Sequence, residues 1–535
     1  MKTIQKALPI GIQTFATIRE EDCIYVDKTK YLVDLIDDGK LYYLARPQGF
    51  GKSLTVTTLE AMFSGKKELF KGLYAEEFMN RPNYRPSPVI RLDMTTVMTS
   101  KGIKDLSQSL KWIVASVAED YDIDIPNTYP PGDAFDDLIH KVAKQGGGKV
   151  VILVDEFDKP YSDFYTNPQM AEEARRMMEN FYIRIKANDE YIRFVFLTGI
   201  ARFTRFSGFS TLNNITDISL DEEYGEICGL SETEIEKYFP EHITETAKEM
   251  KISPKELLEK KRNYYFGFCF DGVHQLYNPL STLHFFWSRE FYSYWIQMGS
   301  VFDIDNYFKE KHLTVEQFRN FFAPYDFLDV PGDMDNTSPG GFMYQAGYLT
   351  VRRKEGLYYK LDYPNTEVLN SMSEMFVQHI LSPAKYLSYR AVFLVSLEDK
   401  KIEFLTSLLN TLLSSIHYSD YTGAIRHIKL NPTDIEVREW LYRSTIIALF
   451  RGCNVATVAE MQTSLEHPDL VISYQENTYV IELKVAYTPE DVPAKLAEAV
   501  EQIQSKNYLA LYPEAMGLAM VIDDTKRQIT ETKII

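Results

Sequence analysis

The chain alternates between short runs of apolar residues and longer stretches in which apolar positions recur every three or four residues. Leu41-Tyr-Tyr-Leu-Ala is one such run and gives way to a glycine-containing loop. Val150-Val-Ile-Leu-Val stops at Asp155-Glu156, and Tyr191-Ile-Arg-Phe-Val-Phe-Leu ends at Thr198-Gly199. Apolar runs of this length, bounded by turn residues, predict strands buried on both faces. Helical stretches between them through residue 228 predict a parallel sheet wrapped by helices. From Ser231 the pattern changes: Ser231-Glu-Thr-Glu234 resembles a capping box, and the passage to about 320 reads as mostly helical. Pro331 to Gly341 reads as a loop by its glycines and prolines. Tyr348-Leu-Thr-Val-Arg and Leu357-Tyr-Tyr-Lys-Leu read as a hairpin, and Thr366 to about 418 as helical.

The last part of the chain has its own order. Glu439-Trp-Leu-Tyr-Arg-Ser-Thr-Ile-Ile-Ala-Leu-Phe has helical period and ends at Gly452, before a strand at Val455 to Glu460. A hairpin then joins Pro468-Asp469-Leu-Val-Ile-Ser-Tyr to Tyr479-Val-Ile-Glu482-Leu-Lys484-Val through Gln475-Glu-Asn-Thr. Thr488-Pro-Glu-Asp491 opens a helix with Val492, Leu496, Ala499, Val500 and Ile503 on one face. A closing strand at Tyr508-Leu-Ala-Leu-Tyr512 or Gly517-Leu-Ala-Met-Val-Ile522 completes an αβββαβ order. The expected division is 1–228, 229–375 and 376–535.

Chemistry enters at the strand ends. Gly51-Lys52-Ser53, delivered by a strand to a helix start, is the arrangement by which a P-loop holds phosphate: loop N–H groups face the anion, the lysine reaches the outer phosphates and the serine ligates Mg²⁺. The strict pattern G-x-x-x-x-G-K-[ST] is not met, because Arg46 stands at its first glycine, and a Gly-Lys-Ser turn into an ordinary helix is the alternative. Support comes from Asp155-Glu156 at the end of a buried strand, which suits a Walker B pair. Asp155 would hold Mg²⁺ and Glu156 would orient or deprotonate the attacking water. A buried strand whose terminal acids merely cap the next element gives the same letters. Thr198 and Arg202, with Arg205 nearby, are candidates for sensing the γ-phosphate and stabilising transition-state charge. A strand-end turn with surface arginines fits them equally.

A second candidate site lies on the hairpin near the C-terminus. Glu482 and Lys484 share a strand face, and Asp469 opens the facing strand. Two carboxylates there can bind Mg²⁺ through oxygen, with the lysine positioning or activating water against a phosphodiester. The spacing Pro-Asp, hairpin, Glu-x-Lys is weak alone, since E-x-K is common on exposed strand edges.

The stretches Leu8-Pro-Ile-Gly-Ile-Gln-Thr-Phe, Tyr25-Val-Asp-Lys-Thr-Lys, Val154-Asp-Glu-Phe-Asp-Lys-Pro and Leu212-Asn-Asn-Ile-Thr-Asp-Ile-Ser resemble the AAA-ATPase-like proteins of bacteria that carry a C-terminal PD-(D/E)XK nuclease-superfamily domain. The resemblance continues through Tyr277-Asn-Pro, Tyr294-Trp-Ile-Gln-Met-Gly, Tyr344-Gln-Ala-Gly-Tyr-Leu-Thr and Tyr363-Pro-Asn-Thr-Glu-Val, so it covers nearly the whole length. It implies a P-loop NTPase sheet wrapped by helices (α/β), a mainly helical lid or connector with a small hairpin, and a restriction-endonuclease-like αβββαβ domain. Gly49, Gly51, Lys52, Ser53, Leu54, Asp155 and Thr198 would then meet ATP and Mg²⁺, with Glu156 and Arg202 catalytic. Asp469, Glu482 and Lys484 would form the nuclease-like site, with Mg²⁺ or Mn²⁺. The resemblance adds Glu439, Glu460, Gln502 and Tyr508 around that site, although a solvated helix acid, a strand-end acid and a helix face explain those four slightly better. Two departures stand out. Gln48 and Gly49 replace two arginines of the family loop, and Glu466-His467-Pro468 replaces the Gly-Arg that commonly precedes the hairpin aspartate.

Composition narrows the partners. A length of 535 residues suits roughly two to four domains, and 45% hydrophobic with 25% charged residues is ordinary for a globular chain. The net charge of −18 argues against coating nucleic acid, so any contact with DNA or RNA must be local. Arg352-Arg353-Lys354 and the segment with Arg193, Arg202 and Arg205 are the basic clusters, and solvated surface is the commoner explanation of each. No apolar run approaches the ~18 residues of a membrane span, and the N-terminus lacks a signal-peptide core, so a cytoplasmic protein without a membrane partner is expected. Four scattered cysteines suggest neither zinc nor disulfides. The resulting expectation is an ATPase coupled to a nuclease-like module acting on nucleic acid. The alternative is a nucleotide-dependent switch or sensor whose last domain binds nucleic acid or protein without cutting. By resemblance a homo-oligomer is open.

Overall fold

The computed structural model describes residues 6–100, 102–164, 167–200, 214–295, 304, 307–308, 313–324, 339–416, 434–459, 468–506 and 508–535. The chain forms two compact units, 1–302 with 320–366, and 303–319 with 367–535.

In the first unit the expected apolar runs are strands. Strands β1 (Leu41–Ala45), β2 (Val89–Asp93), β3 (Val150–Asp155), β4 (Ile192–Gly199) and β5 (Thr216–Asp217) form an all-parallel sheet in the order β2-β3-β4-β1-β5. Helices α1 (Lys52–Phe63), α2 (Ile103–Glu119), α3 (Pro131–Gln145) and α4 (Pro168–Ala187) are among those connecting the strands. Every residue of β1 and β3 is buried, as continuous apolar strands require when helices cover both faces. Such a sheet fits a P-loop NTPase α/β fold. The order matters for function, because β4 lies between the strand that delivers the glycine loop and the strand that ends in Asp155-Glu156. All three C-terminal ends therefore open on one edge, where open α/β sheets bind ligands.

Beyond the sheet, α5 (Glu232–Tyr238) starts with the expected capping box: Ser231 Oγ accepts the Glu234 N–H and the Glu234 carboxylate accepts the Ser231 N–H. Helices α6 (Pro240–Glu249), α7 (Pro254–Tyr265) and α8 (Pro279–Ser288) follow, with a core of Phe239, Ile243, Leu257, Tyr265, Phe285 and Phe286. The mostly helical reading of this passage fails at β6 (Phe266–Cys269) and β7 (Gln275–Tyr277), which pair antiparallel. Runs of three or four residues are too short to show a period. Gly267, at φ +125°, marks β6 as a close approach, since a Cβ there would meet the Pro364 carbonyl oxygen. The predicted hairpin is present as β9 (Thr350–Glu355) and β10 (Tyr358–Asp362), with β8 (Phe321–Pro324) added to the outer side of β10. The loop expected at 331–341 lies largely outside the described residues, but its end is helical at Pro339–Gln345.

The second unit contains α9 (Thr366–Leu381, whose first residue belongs to the first unit), α10 (Pro383–Glu398) and α11 (Ile402–Ser414), as the helical period predicted. Then come α12 (Asp434–Gly452), β11 (Ala456–Ala459), β12 (Leu470–Tyr474), β13 (Asn477–Ala486), α13 (Val492–Ser505), α14 (Tyr508–Leu511), β14 (Met516–Asp523) and β15 (Gln528–Ile534). The sheet runs β11-β12-β13-β14-β15, with only β13 and β14 parallel. This mixed sheet is consistent with the αβββαβ expectation and extends it by one strand. Of the two positions proposed for the closing strand, Gly517 to Ile522 is correct and Tyr508 to Leu511 is helix. Buried Tyr508 packs with Ala499 and Ile503 of α13 rather than alternating in and out as a strand would. No helix among the described residues is long and apolar enough to cross a membrane.

Candidate functional site

The first site is built at the C-terminal edge of the parallel sheet. Arg46 to Gly51 leads from β1 into α1, with Gly49 at φ +77° and Gly51 at φ +94°. These are left-handed positions that glycine adopts without a Cβ penalty. Gly51 is the N-cap of α1, and because it supplies no side-chain acceptor, the first N–H groups of a twelve-residue helix keep their capacity for an anion. Lys52 and Ser53 form the first turn. The buried Lys52 ammonium donates to the carbonyls of Arg46 at 2.9 Å and Pro47 at 3.3 Å, and lies 3.2 Å from Glu156 Oε1.

Register brings the remaining groups to this point. Leu44 pairs with Thr198 and Ala45 with Gly199 across β1 and β4, while Val154 pairs with Leu197 across β3 and β4. Asp155 follows Val154, and its Oδ1 accepts the Thr198 hydroxyl at 2.6 Å. Glu156 has φ +52°, a conformation that costs a non-glycine residue roughly 1–2 kcal/mol. Strain of this kind concentrates at functional sites. Asp158, also buried, accepts the Ile200 N–H at 2.8 Å and so fixes the turn after β4. The structure thus gathers Gly49, Gly51, Lys52, Ser53, Leu54, Asp155, Glu156 and Thr198 at one sheet edge. Arg202 and Arg205 lie outside the described residues.

Ser53 in the first turn of α1, and Asp155 just before the Glu156 that meets Lys52, offer the oxygen ligands that Mg²⁺ takes. A neighbouring feature escaped the sequence reading. An apolar cavity of about 110 Å³ opens beside Gly51, lined by Tyr25, Phe50, Leu54, Ile227, Leu230 and Phe239. It approaches the ~150 Å³ apolar cavity known to take up benzene. Its walls come from three distant stretches of chain, so no local motif signals it.

Arg46 explains the missing first glycine. Its side chain turns into the protein, 1% exposed, and donates to the carbonyls of Ala45 at 2.9 Å and Ser219 at 2.7 Å, with Phe270 4.4 Å below its guanidinium. It therefore anchors the loop from beneath. Arg46→Met should destabilise the first unit by about 2–4 kcal/mol, because buried carbonyls lose a charged donor and the ring loses its cation. Urea unfolding checks this, with an unchanged midpoint as the contrary result.

The second site gathers the predicted hairpin residues. Lys484 Nζ donates to Glu482 Oε1 at 2.9 Å and to Gln502 Oε1 at 2.8 Å, and the Gln502 amide reaches the Tyr508 hydroxyl at 3.5 Å. Asp469 donates its N–H to Glu482 Oε2 at 3.4 Å and accepts the Leu483 N–H at 2.8 Å. Glu482 is fully buried, and burial together with the Asp469 charge raises its pKa above the usual carboxylate range. Sequence reasoning missed Arg443 on α12, whose guanidinium pairs with Asp469 Oδ1 at 3.0 Å and stands 3.7 Å from Glu439. It lies four residues after Glu439 in the helix already predicted, so its face was legible although its partner was not. Two adjacent carboxylates offer hard oxygen ligands to Mg²⁺ or Mn²⁺, but both are already ion-paired. No group of three or more His, Cys, Asp or Glu set for a metal occurs among the described residues. Glu460 and His467 lie outside the described residues; Pro468 leads directly into Asp469.

Three members of the proposed basic clusters are engaged within the protein. Arg193 donates to the Arg85 carbonyl and Ser87, Arg352 donates to the Tyr363 and Pro364 carbonyls, and Arg353 pairs with Glu355.

Comparisons with known proteins find a predicted AAA-ATPase-like domain in the N-terminal part of the chain and a relative similar over nearly its whole length. The family model described as Predicted AAA-ATPase matches residues 9–209, which include the glycine loop, Asp155-Glu156 and Thr198. A protein of Azotobacter chroococcum, described as an uncharacterized protein in the vnfD 5′ region, is 32% identical over 517 residues, covering 95% of this chain and 94% of that protein. A solved structure of a Signal Transduction ATPase with Numerous Domains from Pyrococcus horikoshii, with a tetratricopeptide repeat sensor, is 14% identical with a TM-score of 0.23. That alignment covers 80% of this chain and 61% of the other.

Proposed function

Since the chain belongs to the family of the Azotobacter chroococcum protein and carries a predicted AAA-ATPase-like domain, we propose that it binds and hydrolyses ATP at the loop ending in Gly51 and the first turn of α1, and couples this to a metal-dependent nuclease-like module. The observation that carries the nucleotide reading is the convergence, on one sheet edge, of an uncapped helix N-terminus, Lys52 and the Asp155–Thr198 pair. The loop N–H groups and Lys52 bind the triphosphate, Ser53 and Asp155 would hold Mg²⁺, and Thr198 fixes the Asp155 carboxylate. Mg²⁺ supplies charge neutralisation for the transferring phosphoryl group. Glu156 orients water and accepts its proton.

The nuclease-like assignment rests on Asp469, Glu482 and Lys484 meeting on one hairpin with Gln502 and Tyr508 beside them. Asp469 and Glu482 would hold Mg²⁺ or Mn²⁺, which would supply Lewis-acid polarisation, and Lys484 would position the attacking water. Arg443 favours a second reading. A cation already seated on Asp469 suits a nucleotide-dependent switch that binds nucleic acid or protein without cutting. Cleavage of labelled single- and double-stranded DNA and RNA, with Mg²⁺ or Mn²⁺ and with or without ATP, separates the two. Metal-dependent cleavage modulated by ATP is the expected result; no cleavage of any substrate leaves the switch.

A further inference from the structure

Two glycines in a six-residue loop leave its peptide planes free to turn, so contacts from outside must set their direction. Such contacts exist. The Gln48 carbonyl accepts Asn278 Nδ2 at 3.1 Å and Trp295 Nε1 at 3.4 Å, and the Phe50 carbonyl accepts the Gly229 N–H at 3.2 Å. A trans peptide points its N–H opposite to its carbonyl, and no cis bond is present among the described residues. Holding the Gln48 and Phe50 carbonyls therefore turns the N–H groups of Gly49 and Gly51 away from Asn278 and Gly229.

Asn278 is the notable member of this set. It is fully buried, precedes Pro279 and caps α8, its Oδ1 accepting the N–H groups of Leu280 at 2.9 Å and Ser281 at 3.2 Å. Ser, Thr and Asp also cap helices well. Asp has no donor, and Ser and Thr must accept and donate through a single oxygen close to the backbone, whereas Asn carries acceptor and donor on separate atoms and can cap with one while reaching a distant carbonyl with the other. We infer that Asn278 is a positioning residue for nucleotide binding, tying the start of α8 to the phosphate loop and aiming the Gly49 N–H at the triphosphate. The inference rests on the nucleotide reading above.

The test is designed to separate capping from positioning. Asn278→Asp retains the capping oxygen and removes the donor outright, while Asn278→Ser retains a capping oxygen and draws its one donor, the hydroxyl, back by one bond from the place of Nδ2, out of reach of the Gln48 carbonyl. Binding of a fluorescent N-methylanthraniloyl ATP is measured on the full chain, with displacement by ATP and by adenosine, alongside thermal unfolding and a Lys52→Ala control. Asn278→Ser should unfold like the wild type yet bind ATP about three- to tenfold more weakly, the loss of one hydrogen bond, with adenosine affinity unchanged. Asn278→Asp should lose more, since it sets a carboxylate beside a carbonyl and near the phosphates. If both variants keep wild-type ATP affinity while Lys52→Ala loses it, or if ATP and adenosine weaken equally, Asn278 is only a cap and the inference is overturned. If the wild type binds no nucleotide, or Lys52→Ala binds like wild type, the nucleotide reading falls and takes the inference with it.

Discussion

Glu156→Gln is expected to lose ATP turnover by about 10²- to 10⁴-fold while retaining ATP binding, the range over which removing a positioned general base acts. Its place in the site is the reason. Glu156 comes directly after the Mg²⁺-ligand candidate Asp155, is held at φ +52° and lies 3.2 Å from Lys52, so it stands at the phosphate end of the site. The amide keeps the shape of the side chain but cannot take a proton. It also releases Lys52 from an ion pair, so ATP affinity should hold or rise. Phosphate release under saturating Mg²⁺ and ATP, paired with equilibrium binding, reads both effects. Undiminished turnover would remove Glu156 from the chemistry, and lost binding would make its role structural.

Lys484→Ala is expected to abolish metal-dependent cleavage if the second site cuts. Water loses its positioning group, and Glu482 loses the cation 2.9 Å from its Oε1. That carboxyl is already raised above its ordinary value of 4.5 by burial and by Asp469, and without Lys484 it should rise further. Proton uptake sets the sign for stability. Between the unfolded and folded pKa values the folded state binds more protons, so stability is greatest below the unfolded value and falls as pH rises through the folded one. The variant should therefore show a steeper loss of stability with rising pH than the wild type, measured by urea unfolding of the full chain at a series of pH values. Parallel profiles, with equal cleavage by both proteins, would reduce the Glu482–Lys484 pair to a structural ion pair.

Much of this arrangement was legible in sequence because its signals are local. A strand buried on both faces is an unbroken apolar run, so Val150 to Val154 announced β3 and placed Asp155 at its end. The helix face through Val492, Ala499 and Ile503 was equally plain, and all three are buried. Short or ambiguous stretches were less so. Tyr508-Leu-Ala-Leu is compatible with either period, and packing of Tyr508 on α13 decided for helix. The hairpin of β6 and β7 interrupts a helical region with segments too brief to show alternation. At the sites, residue types and strand ends were readable, but partners brought in by topology were not. Arg443 seats on Asp469 from a helix ahead of the hairpin, and Asn278 reaches Gln48 across 230 positions of sequence. The same holds for Arg46, which sequence alone placed against the P-loop pattern. Its burial under the loop shows why this loop tolerates losing that glycine.

The central claim, that the loop ending at Lys52 and Ser53 holds a triphosphate, is tested most directly by calorimetric titration of ATP with Mg²⁺ into the full chain and into Lys52→Ala. Saturable one-site binding by the wild type is predicted. In the variant it should weaken about 10- to 100-fold, the scale of losing a charged hydrogen-bond donor to phosphate. Equal affinity in the two proteins, or no binding to the wild type, would contradict the account.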